Sequence, residues 1–128
     1  MPSFLGPFSN DEVLSNNKMK NLKCSRIELD FTSPLGTYNL VENLPVNSLV
    51  FQTLVKVEFP FDGNSTLTIG NSQNPNCYLD ETGIDLKSAG TYVGEIYDLI
   101  VSSLHGRAYW NPGTSTQGRL CIFFVYSD

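Results

Sequence analysis

A chain of 128 residues fits one domain, and its 41% hydrophobic and 12% aromatic content suits a core built from strands. Charged residues make up only 16%, against roughly 25% in an ordinary soluble domain, so Asn, Ser, Thr, Gly and apolar groups must cover much of the surface, as in the subunit of an assembly. A net charge of −5 with eight thinly spread Lys and Arg argues against nucleic acid, and no run approaches the roughly 20 apolar residues of a membrane-spanning helix.

The first 25 residues differ from the rest. Phe4, Leu5 and Phe8 stand beside Pro2, Gly6 and Pro7, followed by a polar stretch in which Val13, Leu14, Met19 and Leu22 are loosely spaced. Lys18, Lys20, Lys23 and Arg26 lie among asparagines and read as a solvated linker rather than an anion patch. An apolar tip on a polar tether cannot bury itself locally, so the expectation is an extended arm over 1–25 that docks elsewhere, on another chain in preference to its own domain. The N-terminus has no basic-then-apolar signal peptide.

From Arg26 the pattern is that of strands. Arg26–Phe31 alternates, with Ile27, Leu29 and Phe31 on one face, and Ser33-Pro34-Leu35-Gly36 has turn chemistry. A strand over about Thr37–Val41 precedes Pro45. The run Ser48–Phe61 is strongly β-prone, with Val55, Val57 and Phe59 expected inward and Lys56 and Glu58 outward. Asp62-Gly63 between two alternating runs predicts a tight hairpin, after which Leu67 and Ile69 continue the inward face. Residues 71–90 read as a long structured loop with a possible edge strand, holding Tyr78, Leu79 and Ile84-Asp85-Leu86. Thr91–Tyr97 and Asp98–Leu104 read as strands, His105-Gly106 as a turn, Arg107–Trp110 as another strand and Asn111–Gly118 as a flexible loop. The last strand, Arg119–Tyr126, is apolar on both faces: Leu120, Ile122, Phe124 and Tyr126 on one, Cys121, Phe123 and Val125 on the other. One sheet face normally meets the core, so the second requires cover from another sheet, the arm or a second subunit. About eight strands without a normal helix imply an all-β antiparallel β-sandwich of jelly-roll type over 26–128.

The residues that could carry chemistry do not assemble into a known pattern. His105 is the one histidine, with no neighbouring nucleophile signature. Asp80, Glu81 and Asp85 lack the spacing of a calcium loop and read as solvated loop acids. Tyr92, Tyr97, Tyr109 and Trp110 could form a sugar-stacking platform, but packing explains them with fewer assumptions. Cys24, Cys77 and Cys121 have no metal-site spacing and read as free thiols of a reducing compartment. Asn64-Ser65-Thr66 fits a glycosylation sequon but reads as a polar turn. No catalytic, cofactor or metal site is expected.

The stretch Phe59 to Val93 contains Phe-Pro-Phe-Asp-Gly-Asn-Ser-Thr-Leu-Thr-Ile-Gly-Asn-Ser, then Tyr-Leu-Asp, then Ile-Asp-Leu-Lys-Ser-Ala-Gly-Thr-Tyr-Val. It resembles a pattern found in small virion proteins of tailed bacteriophages. The resemblance covers about a quarter of the chain. It implies a non-enzymatic β-sandwich that assembles in the virion, typically as a trimer. A capsid decoration or cement subunit contacting the major capsid protein or another virion protein is one form. A tail, baseplate or fibre module binding a receptor or carbohydrate through its loops is the alternative. On this reading Phe4, Leu5, Phe8, Val13 and Leu14 form the partner-binding arm, and Cys121, Phe123 and Val125 the self-association face.

Overall fold

A computed structural model describes residues 22–127. Seven strands are present among them: β1 (Leu22–Asp30), β2 (Gly36–Leu44), β3 (Leu49–Phe59), β4 (Thr66–Asn71), β5 (Gly90–Leu99), β6 (Leu104–Asn111) and β7 (Arg119–Ser127), with a single 3-10 turn at Glu81–Gly83. They form two antiparallel sheets, of order β1-β7-β3-β5 and β2-β6-β4. Successive strands alternate between the sheets, which is the arrangement of a jelly roll. Its eighth strand is reduced to an isolated bridge, in which Leu79 pairs with Ile69 on the open edge of β4. The long loop after β4 thus supplies an edge element, at Leu79.

The core follows from the period-two pattern. Val55 and Val57 of β3 and Leu120, Ile122 and Phe124 of β7 face Leu67 and Ile69 of β4 and Ala108 and Trp110 of β6, all buried. Phe61 follows Pro60 into the gap at one end and meets the Trp110 ring edge-on at 5.3 Å between centroids. Trp110 Nε1 donates to the Ser33 carbonyl at 3.2 Å, which satisfies the one polar atom of a side chain only 2% exposed. Thr53, also buried, donates its hydroxyl to the Phe123 carbonyl at 3.1 Å.

Several expectations are corrected. β1 starts at Leu22 rather than Arg26, because Leu22 to Ser25 pair with β7 as far as Ser127. Phe31 falls beyond the end of β1, where the chain turns, and is exposed. Phe59 was expected inward but is 56% exposed: a register irregularity between Val57 and Phe59 rotates it out, and the Arg119 guanidinium covers its face at 5.0 Å. Thr91–Tyr97 and the start of the next run form one strand, β5, and His105-Gly106 lies inside β6 rather than at a turn. Gly106 leaves room there for the Phe124 ring, which would stand 3.2 Å from an added Cβ.

Asp62-Gly63 does not make a hairpin. β3 and β4 belong to different sheets, so the segment is an arch between them. Gly63 is needed for close approach: a Cβ would lie 2.4 Å from the backbone nitrogen of Ser115. The loop 112–118, expected to be flexible, is fastened to this arch. The Thr116 amide donates to Asp62 Oδ1 at 2.7 Å, the Gly63 amide to Ser115 Oγ at 3.0 Å and Ser65 Oγ to the Pro112 carbonyl at 2.7 Å.

Candidate interaction face

The two sheets present opposite kinds of outer surface. On the three-stranded sheet, Thr37, Tyr109 and Thr68 stand side by side, followed by Asn39, Arg107 and Gly70. Arg107 Nε donates to Asn39 Oδ1 at 3.3 Å and Tyr109 donates its hydroxyl to the Asn71 carbonyl at 2.8 Å. This is a polar, internally paired surface.

The four-stranded sheet is different. Because directly paired residues share a face, its register sets out the side chains in rows. Arg26, Phe123, Leu54 and Val93 form one row across all four strands. Cys24, Val125, Gln52 and Glu95 form the next, and Leu22, Ser127, Leu49 and Leu99 the row at the end of the sheet. On the other side of the Phe123 row lie Glu28, Cys121, Lys56 and Thr91. The face therefore grades from charged at one end to apolar at the other. Phe123, Leu54 and Val125 are half-buried and Val93 and Leu99 exposed. Patches of this kind, rimmed by polar groups, mark interaction surfaces.

Charges frame the apolar rows. Arg26 pairs with Glu28 and lies over the Phe123 ring, 5.9 Å from its centroid. Arg119 Nε donates to Glu58 Oε1 at 2.8 Å. Cys121 sits among these groups and is only 2% exposed, so it lends little contact area. Burial pushes its thiol pKa up, against the nearby Arg26 charge that lowers it. Of the self-association residues read from the sequence, Phe123 and Val125 carry the surface. Phe4, Leu5, Phe8, Val13 and Leu14 lie outside the described residues.

Leu54, Val93, Leu49 and Leu99 were missed by sequence reasoning. For Leu49 and Leu54 the signal was the run Leu49–Leu54, which carries apolar residues on both faces, but the alternation of Val55 and Val57 drew the reading to the inner face alone.

The other candidate sites dissolve into structural roles. Tyr92, Tyr97, Tyr109 and Trp110 do not converge: Trp110 is in the core, Tyr109 on the outer face of the three-stranded sheet, and Tyr92 and Tyr97 on β5. Asp80 accepts from the Thr82 amide at 3.1 Å and caps the 3-10 turn, and Asp85 accepts from the Lys87 amide at 3.1 Å. His105 is an exposed strand residue whose amide donates to Ser72 Oγ at 3.3 Å. Cys24, Cys77 and Cys121 are free thiols. No group of three or more His, Cys, Asp or Glu side chains that could hold a metal exists among the described residues.

No protein-family model and no curated protein matches the chain. Solved structures do match its fold. A chain of the acid-stable capsid of Helicobacter pylori bacteriophage KHP30 superposes with a TM-score of 0.68 at 17% identity, covering 86% of this chain and 90% of that one. A chain of the cyanophage Pam1 capsid gives 0.57 at 16% identity over 99% and 91%, and one from the capsid of Ralstonia phage GP4 gives 0.55 at 12% identity over 86% and 86%. At such identities the likeness is one of fold: this chain shares the β-sandwich of chains found in three phage capsids.

Proposed function

We propose that this protein is a non-catalytic structural subunit of a tailed-phage virion, a decoration or cement subunit of the capsid. The observation that carries the reading is the outer face of the four-stranded sheet, where Phe123, Leu54 and Val93 form an apolar row that a single small sandwich leaves uncovered. That face is the self-association surface, and closed symmetry, with a trimer as the expected state, is the economical way to bury it. The likeness to chains of three phage capsids supports the setting, and the scarcity of charge supports life in a shell. The arm tip, with Phe4, Leu5 and Phe8, is the part that contacts the major capsid protein or another virion protein.

A receptor- or carbohydrate-binding role in a tail or fibre receives no support from the aromatics, since Trp110 is sealed in the core. Two measurements test the proposal. The full chain should co-sediment with phage shells that lack it, and a Phe4→Ser/Leu5→Ser/Phe8→Ser variant should not. Sedimentation velocity should show a species larger than 14.2 kDa that Phe123→Ser returns to monomer. A chain that neither binds shells nor self-associates would refute the assignment.

A further inference from the structure

Phe31, Leu35 and Phe59 are exposed at one end of the sandwich, but most of the exposed apolar side chains gather toward the other. Leu22, Leu49 and Leu99 share the end row of the four-stranded sheet, and Val46 and Val101 extend it on the two loops just beyond. Val101 is 80% exposed, Leu22 67% and Tyr97 64%. The corner is rigidly built. Its two loops are joined by the Asn47 amide donating to the Ile100 carbonyl and the Ile100 amide donating to the Ser48 carbonyl, both at 2.8 Å. Ile100 is buried between them and anchors the loop that carries Val101. Asn47 and Tyr97 take left-handed backbone conformations, φ +74° and +50°, and the Tyr97 ring meets Phe51 edge-on at 6.4 Å. A strained bulky residue at φ above zero persists only where its surroundings hold it there.

A corner so apolar and so well fixed calls for an occupant, and the chain itself points to one. Leu22 belongs to the corner, and the 21 residues that precede it are attached at that point. They include Met19, Leu14 and Val13, three, eight and nine positions upstream. Eight residues reach up to about 27 Å when extended, whereas the row from β1 to β5 is three strand spacings, or about 14 Å, across. The segment can therefore cross the whole row without strain. Its local concentration at the corner is in the millimolar range expected of a short tether, which a second molecule matches only when concentrated.

We infer that the stretch 13–21 of the same chain seats on this corner, placing Val13, Leu14 and Met19 against Leu49, Leu99 and Val101. Val13 and Leu14 then belong to the molecule's own fold, and only the tip bearing Phe4, Leu5 and Phe8 is left to reach a partner. The inference holds whether or not the protein resides in a virion, because it needs no second molecule.

Trypsin reads this directly, since Lys18 and Lys20 lie within the seated stretch. In the full-length protein, cleavage after these two lysines should be slow and its rate independent of protein concentration. In a Leu99→Ser/Val101→Ser variant it should be at least about tenfold faster, as local opening sets the rate. Both substituted residues are exposed, and an unchanged near-ultraviolet dichroism from buried Trp110 reports that the fold is intact. If the variant has disturbed the fold, the milder Val101→Thr, with the same readouts, replaces it. Equal rates in wild type and variant overturn the inference. So does protection that appears only as concentration rises, which places a second copy on the corner, or only when shells are added, which places a shell protein there.

Discussion

Tyr78 donates its hydroxyl to Asp98 Oδ2 at 3.0 Å, linking the bridge segment beside β4 to the end of β5 in the opposite sheet. The same hydroxyl accepts from Asn71 Nδ2 at 3.2 Å, while Asn71 Oδ1 receives the amides of Gln73 and Asn74 at 2.9 and 2.8 Å. One buried Asn and one buried Tyr thus shape the loop that replaces the eighth strand. Tyr78→Phe leaves the buried Asn71 amide with a poorer partner, and it should cost about 1–2 kcal/mol. Urea unfolding would show this as a lower midpoint with an unchanged slope.

Burial, first of all, raises the Tyr78 phenol above its ordinary value of 10.0, so the folded state favours the neutral hydroxyl. Its contribution is complete below that ordinary value and is lost as pH rises toward the higher folded value. Wild-type stability should therefore fall with pH in the alkaline range more steeply than that of Tyr78→Phe. Thermal unfolding midpoints at matched ionic strength would check it.

The arch held by Asp62 should be acid-sensitive. The Thr116 hydroxyl, and then its amide, hold the Asp62 carboxyl below its ordinary value of 3.8. Thr32 does the same for Asp30 and Thr82 for Asp80, in each case chiefly through the hydroxyl. These contributions are present above the ordinary value and disappear as pH falls through the lower folded one. The melting temperature should drop on that acid limb, and Asp62→Asn should flatten the drop without abolishing it.

Phe123 and Phe124 are neighbours with opposite duties. Phe124 is fully buried and packs against Tyr78 with centroids 5.8 Å apart, so Phe124→Ala should cost about 3–5 kcal/mol. Phe123 stands on the outer face beneath Arg26, and Phe123→Ser should leave the fold stable while weakening self-association. Chemical denaturation and sedimentation velocity on both variants separate the two roles.

Gly63→Ala should destabilise by about 1–3 kcal/mol, since the new methyl meets backbone on the facing loop and neither side can yield cheaply. Thr114→Ala, which removes only a hydroxyl bond of 3.3 Å to the Asn64 amide, should cost less than half as much. Thermal melts of the two variants rank them.

Alternation in Ile27–Leu29, Val55–Val57 and Leu67–Ile69 made the β character of the chain legible by itself, because period two places every second side chain on one face whatever lies opposite. The two-faced character of the last strand was equally legible, and with it the existence of a surface awaiting cover. Which residues share that surface was decided by the tertiary structure. Phe123, Leu54 and Val93 are far apart in the chain and meet only through the register of two strand pairs. Phe59 reads as an inward residue until an irregularity in that register turns it out. Asp62-Gly63 has the chemistry of a hairpin, and local chemistry cannot tell whether the following strand pairs with its predecessor or crosses to the other sheet. The apolar corner escaped the sequence for the same reason. Leu22, Leu49 and Leu99 look like ordinary strand ends, and only the antiparallel order brings the start of two strands and the end of another together at one edge of the molecule.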